Sequence, residues 1–342
     1  MPALSPEAFL AFAKSAPTLD VRSPAEFAAG HMPGAVSMPL FSNEERGIVG
    51  TAYQQLGHLP AYQIGLEIVG PKMAGFVKQA TELAGEGNPI GLYCWRGGMR
   101  SGSVGWLLSQ GGFIINTLRG GYKAYRTYVQ SHLEKAWPLV VLGGPTGSGK
   151  TDVLKAMAAK GTQVIDLEGL ANHKGSAFGG IGQAAQPRIE MFENELVARL
   201  LAFDTIQPIW VEDESQSIGH VFIYGPFFEQ MRRAPFFRLN TAFEVRVERL
   251  VTEYAGLPDE ELVNAIGKIA KRMGPQHAKV ALECLKQGNY ADVARIALAY
   301  YDKAYAHNLR PSLSDFQLDT NNTQQAVDYF LELITKSINV AQ

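Results

Sequence analysis

Pro138-Leu139-Val140-Val141-Leu142-Gly143-Gly144-Pro145-Thr146-Gly147-Ser148-Gly149-Lys150-Thr151 decides the fold of the second half of this chain. Residues 139–142 are apolar and read as a buried strand. The pattern G-x-x-x-x-G-K-T follows from Gly144 to Thr151, and a helix through about residue 160 comes next. Strand, glycine-rich loop and helix in that order form a phosphate cradle, because free N–H groups at a helix start point at an anion. Gly144, Thr146, Gly147, Ser148, Gly149, Lys150 and Thr151 are therefore the expected diphosphate-binding residues. Lys150 would neutralise the anion, and Thr151 is a candidate ligand for Mg²⁺.

Such a loop normally works with an acidic partner. Asp166-Leu167-Glu168 ends one predicted strand, and Trp210-Val211-Glu212-Asp213-Glu214-Ser215 ends another. Asp166, Glu168, Glu212 and Asp213 are thus candidates for metal or substrate support, with a helix cap or solvated loop as the alternative reading. Arg246 and Arg249 lie three apart on a predicted helix and share a face. They either clamp a phosphate or pair with Glu244 or Glu253.

A second anion cradle lies about fifty residues upstream. The short apolar strand Pro89-Ile90-Gly91-Leu92-Tyr93 runs into Cys94-Trp95-Arg96-Gly97-Gly98-Met99-Arg100-Ser101, and residues 101–109 read as a helix. A thiolate at such a helix start is stabilised by the macrodipole and free N–H groups. Gly97 and Gly98 let several N–H groups turn inward as a nest, and Arg96 and Arg100 add positive charge. Ser101 closes this anion loop. Cys94 is the candidate nucleophile. A structural cysteine in a tight turn is the alternative, and two glycines and two arginines within six residues weigh against it.

Strands alternating with helices in both halves predict parallel sheets covered by helices. The motif Asp20-Val21-Arg22-Ser23-Pro24-Ala25-Glu26-Phe27, followed by Gly30-His31-Met32-Pro33-Gly34-Ala35, resembles the N-terminal signature of rhodanese domains, and Cys94 falls where that family keeps its sulfur-carrying cysteine. In this resemblance Asp20 and Arg22 are an internal ion pair rather than catalytic groups. The five residues between Cys94 and Arg100 also suit cysteine phosphatases of the same scaffold. Those usually have His before the cysteine, where this chain has Tyr93.

The likeness extends further. Asn43-Glu44-Glu45-Arg46, Val49-Gly50-Thr51-Ala52-Tyr53, Gly120-Gly121-Tyr122-Lys123-Ala124, Asp166-Leu167-Glu168-Gly169-Leu170-Ala171-Asn172-His173-Lys174-Gly175-Ser176-Ala177-Phe178-Gly179, Glu212-Asp213-Glu214-Ser215 and Tyr300-Tyr301-Asp302 together resemble the tRNA 2-selenouridine synthase family. The resemblance implies a rhodanese-like α/β domain over residues 1–136, a P-loop NTPase-like parallel-sheet domain over 137–245 and a helical C-terminal region over 246–342. It implies a transferase that replaces sulfur by selenium in wobble-position 2-thiouridine of tRNA, with selenophosphate as donor. An S-geranyl nucleoside made from geranyl diphosphate would be the intermediate. Cys94 would carry selenium as a selanyl sulfide or orient selenophosphate, and the phosphate loop would hold the diphosphate leaving group. No tightly bound cofactor is implied. Trp95, Tyr122 and Tyr125 are candidates for stacking on the splayed base, with core packing as the competing reading. The alternative function is a sulfurtransferase or cysteine phosphatase fused to a small-molecule kinase.

Composition sets outer bounds. The formal net charge of −2 gives no bulk signal for nucleic acid, so any RNA surface must be local. Candidate basic stretches are 119–126, 232–233 and 268–279. Two cysteines, Cys94 and Cys284, neither staple a fold nor make a four-ligand zinc site, and suit a reducing cytoplasm. Cys284 reads as core. No apolar run reaches membrane-spanning length, and the first residues lack a secretory pattern, so a cytoplasmic location without membrane attachment is expected.

Overall fold

The computed structural model describes residues 1–307, 309–318 and 322–340, without the side chains of residue 254 and of residues 334–340. Residues 341 and 342 of the expected C-terminal region lie outside the described residues. The chain forms two compact units. The first is residues 1–133 with 193–197, and the second is 134–192 with 198–342.

The first unit carries β1 (Ala3–Leu4), β2 (Thr18–Asp20), β3 (Val36–Ser37), β4 (Pro89–Tyr93) and β5 (Ile114–Leu118) in the order β1-β5-β4-β2-β3. All neighbours are parallel. Leu19, Ile90, Leu92 and Ile115 from the strands pack with Val104 and Leu108 from the helix Met99–Gln110. Strand β4 sits in the middle with partners on both sides, and its near-continuous apolar run reflects that burial. Helix Pro24–Ala29 starts as its sequence predicts. Ser23 is the N-cap, Pro24 opens the first turn, and Glu26 closes a capping box onto the Ser23 N–H at 3.0 Å.

Residues 43–71 read from sequence as a polar, glycine-rich insertion. The structure corrects this to two helices, Asn43–Leu56 and His58–Val69, broken at Gly57 with φ of 87°. Ser42 and Glu45 form a capping box at the start of the first. Their spacing was the signal; four glycines across the two helices and the break obscured the helical period.

The second unit adds β6 (Leu139–Gly143), β7 (Gln163–Ile165), β8 (Ile209–Glu212), a small hairpin of β9 (Ser217–Ile218) and β10 (Val221–Phe222), β11 (Phe236–Thr241) and β12 (Ser314–Leu318). The main sheet is again parallel, in the order β12-β11-β6-β8-β7. Leu142, Val153, Trp210, Leu239 and Phe330 share one core. A second core joins Leu262, Ile266, Ile269 and Leu285 of the C-terminal helices to Phe178 and Ile181. Cys284 is partly buried against this second core. Edge strand β12 stands within a stretch expected to be mostly helical. Its last four residues alternate polar and apolar, with Phe316 and Leu318 inward, too short a run to stand out among helices.

Candidate functional site

Each sheet sends its central strand into one of the two cradles. Ligands in open parallel sheets collect at the carboxyl ends of the strands, so both loops stand where the topology favours binding.

Cys94 follows β4 and is 3% exposed. Burial alone would raise its pKa. The Ser101 hydroxyl at 3.2 Å and the N–H groups of Ser101, Gly98 and Arg96 outweigh that and leave the thiol below its ordinary value. These donors are the ones expected of a nest around Cys94. Arg100 has a different task from the expected one. Its guanidinium holds Glu26 at 2.7 and 3.2 Å, tying the anion loop to the capping residue of helix Pro24–Ala29. Burial pushes Glu26 up, but Arg100 and the Ser23 N–H prevail and bring it down to about 2.

The loop is locked from behind by the Gly120-Gly121-Tyr122 turn. The carbonyls of Cys94 and Trp95 accept from the N–H groups of Tyr122 and Lys123, at 2.8 and 2.9 Å. Helix Gly121–Leu133 thus spends two otherwise unpaired N-terminal donors on the cysteine loop. Gly121 has φ of 62°, and a Cβ there would stand 2.4 Å from the Cys94 carbonyl oxygen and from the Gly97 nitrogen. Only glycine allows this approach. Tyr122 and Tyr125 are buried core residues, so they are not stacking platforms; Trp95 is 38% exposed. Asp20 and Arg22 form a fully buried ion pair, with Arg22 Nη2 at 2.6 Å from Asp20 Oδ2 and 2.7 Å from the Gly30 carbonyl. The guanidinium lies 3.8 Å over the Tyr122 ring. These two residues shape the unit beneath the loop, as the sequence reading held.

The phosphate loop follows β6. Gly147 and Gly149 have φ of 75° and 88°, and helix Lys150–Ala159 begins immediately after. Lys150 Nζ donates to the Gly144 carbonyl at 3.0 Å. Ser148 Oγ is fully buried without a hydrogen-bond partner among the described residues. A buried donor without a protein partner in this loop fits a diphosphate ligand. The loop opens on a cavity of about 1050 Å³, which Lys155, Lys174, Arg232 and Arg249 also line.

Thr151 Oγ1 meets Glu212 Oε1 at 2.6 Å and Glu168 Oε2 at 3.3 Å. Burial, then the Glu168 charge, push Glu212 up to about 8. Burial also raises Glu168, against the pull of Lys150. Glu214, the third carboxylate of the strand end Glu212-Asp213-Glu214, joins this group and stands well above the usual carboxylate range, first through burial and then through Glu168. The pairing of the Asp213 N–H with the Leu142 carbonyl at 3.0 Å extends the strand geometry past Glu212. Residues two apart there face the same way, which puts 212 and 214 together.

The other acidic candidates lie apart from Thr151's hydroxyl. Asp166 caps helix Leu167–Ala171 through the Gly169 N–H at 2.6 Å. Asp213 is held by Arg310 at 3.2 Å and Arg232 at 3.6 Å. Arg246 and Arg249 also find partners other than those expected. Arg246 grips Asp302 at 2.7 and 2.8 Å, and Arg249 holds Asp152 at 2.7 Å. Glu244 pairs instead with Arg295, and Glu253 with Lys174.

Among the described residues no set of three His, Cys, Asp or Glu side chains is arranged to hold a metal ion by itself. Mg²⁺ commonly keeps water and takes phosphate oxygens beside one or two protein ligands. The Thr151–Glu212 pair fits that second kind of site.

Two family models divide the chain. One described as a rhodanese-like domain matches residues 5–128, and one described as the tRNA 2-selenouridine synthase AAA domain matches residues 137–336. The chain belongs to the tRNA 2-selenouridine synthase family. A protein of that name from Psychromonas ingrahamii is 32% identical over 95% of this chain and 96% of its own length. The corresponding figures are 33%, 92% and 94% for one from a Sulfurovum species. For one from Pseudomonas syringae pv. tomato they are 35%, 86% and 89%. No helix among the described residues is long and apolar enough to cross a membrane.

Proposed function

We propose that this chain is an enzyme that replaces sulfur by selenium in 2-thiouridine at the wobble position of tRNA. The observation that carries the reading is the presence of two built anion cradles in one family member, one around a depressed thiol and one around an orphaned Ser148 hydroxyl. The names of the relatives support tRNA as substrate.

The division of labour follows from chemistry. A thione sulfur is a poor leaving group. Attack of that sulfur on C1 of geranyl diphosphate forms an S–C bond, breaks the C–O bond and releases diphosphate, which Lys150 and the loop N–H groups stabilise as it departs. The selenium of selenophosphate then bonds to C2, the C2–S bond breaks and geranyl thiolate leaves, and water cleaves the P–Se bond to release phosphate. The Cys94 loop, with inward N–H groups and a nucleophilic sulfur, suits selenophosphate as the selenium donor. Mg²⁺, where bound, would lie at Thr151 and Glu212 and neutralise diphosphate charge.

Nucleoside mass spectrometry of 2-thiouridine tRNA incubated with selenophosphate and geranyl diphosphate tests this. Wild type yields 2-selenouridine, Lys150→Ala loses the geranylated nucleoside, and Cys94→Ser accumulates it. Unchanged tRNA with wild type refutes the reading and brings forward a phosphatase or kinase.

A further inference from the structure

A second cavity of about 540 Å³ opens in the second unit, away from the phosphate loop residues. Its size falls within the range of small-ligand sites. Three cationic or protonatable side chains line it: His173, His220 and Lys268. Glu261 is the one acidic residue in the lining. His173 is held below its ordinary pKa first by burial and then by the charges of His220 and Lys268, so the three groups feel one another. His173 Nδ1 is buried without a hydrogen-bond partner among the described residues.

The wall is braced. Asn172 adopts the left-handed conformation, at φ of 49°, and its amide donates to the Ala185 carbonyl at 3.0 Å. Gln186 donates to the carbonyls of Ala171 and Ile218 at 2.9 Å, and its oxygen accepts from the His220 N–H at 3.0 Å. Gly219 has φ of 62°, which favours glycine, and packs against the Gln186 amide. This bracing fixes the backbone that carries His173 and His220. The remaining amides in the lining, Gln183 and Asn264, offer both donors and acceptors.

Beyond the cavity lies a basic helical face. Glu261, Asn264 and Lys268 are spaced three and four apart on helix Asp259–Met273, and Arg272 follows one turn later on the same face. Lys268 and Arg272 are exposed and make no ion pair among the described residues. A pocket that combines two imidazoles and a lysine with amide edges, and leads onto the Lys268 and Arg272 face of a helix, matches one nucleotide of a longer polyanion better than a free small anion.

We propose that this cavity holds one nucleotide of the tRNA substrate, its phosphate against His220 and Lys268 and its base edge against Asn264 and Gln183. The inference rests on tRNA being the substrate. The cavity is linked to the carboxylate group through one short helix, Leu167–Ala171: Glu168 lies near its start and His173 just past its end, where the His173 N–H donates to the Glu168 carbonyl at 3.0 Å.

The test is anisotropy titration of a labelled anticodon stem–loop with the full chain. Wild type, Lys268→Arg and the double variant His220→Ala/Lys268→Ala are compared across salt concentrations, with thermal melting as a folding check. The double variant is expected to bind about tenfold more weakly, with a salt slope smaller by about one charge, while Lys268→Arg keeps both. The imidazole NMR signals of His173 and His220 should move on adding RNA and stay in place with inorganic phosphate. Equal binding by wild type and a folded double variant overturns the cavity assignment and leaves tRNA as substrate intact. Signals that move with phosphate and not with RNA overturn it in favour of a free oxyanion. A wild type that does not bind the RNA removes both readings together.

Discussion

Replacing Ser101 by alanine isolates the chemistry of the cysteine cradle. Ser101 Oγ stands 3.2 Å from Cys94 Sγ and also 3.2 Å from the Gly98 carbonyl. A hydroxyl has one proton, so it serves the sulfur fully only when the sulfur is a thiolate. Hydrogen bonds to charged groups contribute about 1.5–3 kcal/mol. Three backbone N–H groups remain to share the charge, which sets the loss at the lower end, about 1.5 kcal/mol. That is about a tenfold smaller thiolate fraction on the acid side of the titration. The thiolate that does form is more basic and more nucleophilic, with a Brønsted coefficient of about 0.4–0.5, which returns about threefold in rate. The assay is alkylation by iodoacetamide in a Cys284→Ser background, from acid to alkaline pH. Ser101→Ala should react about threefold more slowly at low pH and about threefold faster on the alkaline plateau, so the two profiles cross. Superimposed profiles would show that the backbone alone sets the thiol. A uniform fall at every pH would show that the loop had collapsed.

Three further outcomes follow from the geometry. Gly121→Ala puts a methyl against the Cys94 carbonyl at positive φ, and should cost at least about 2–3 kcal/mol in chemical denaturation together with slower Cys94 alkylation. Asp20→Ala strands the buried Arg22 guanidinium, and should lower stability by about 3–5 kcal/mol in urea unfolding. Glu212 takes up a proton on folding, because its folded value of about 8 exceeds the ordinary 4.5. Its contribution is therefore fully present below about 4.5 and is lost as pH rises through about 8. Glu212→Gln should flatten the decline in melting temperature between those limits, and a wild-type curve already flat there would exclude a buried, protonated Glu212.

Both cradles were legible in the chain because their chemistry is local. A strand, a few glycines and a helix start lie within about fifteen residues, and N–H groups over that span need no distant partner to form a nest. The capping residues Ser23 and Glu26 were legible for the same reason. What the chain did not reveal was who occupies each charge. Arg100 goes to Glu26, seventy-four residues away, and Arg246 to Asp302, fifty-six away. Each sequence assignment had looked to a nearer group. The Glu168–Glu212–Glu214 cluster likewise required two strands, β7 and β8, to lie side by side.

The amino-acid sequence by itself determined two parallel α/β sheets, the positions of Cys94 and Lys150, and the family. Those follow from periodicity and from loops whose donors are their own backbone. Tertiary structure alone decided the longer-range electrostatics: the raised carboxylates at Thr151, and the cavity that gathers His173, His220 and Lys268. Charges act through space and desolvation acts through burial, and neither is a property of neighbours along the chain.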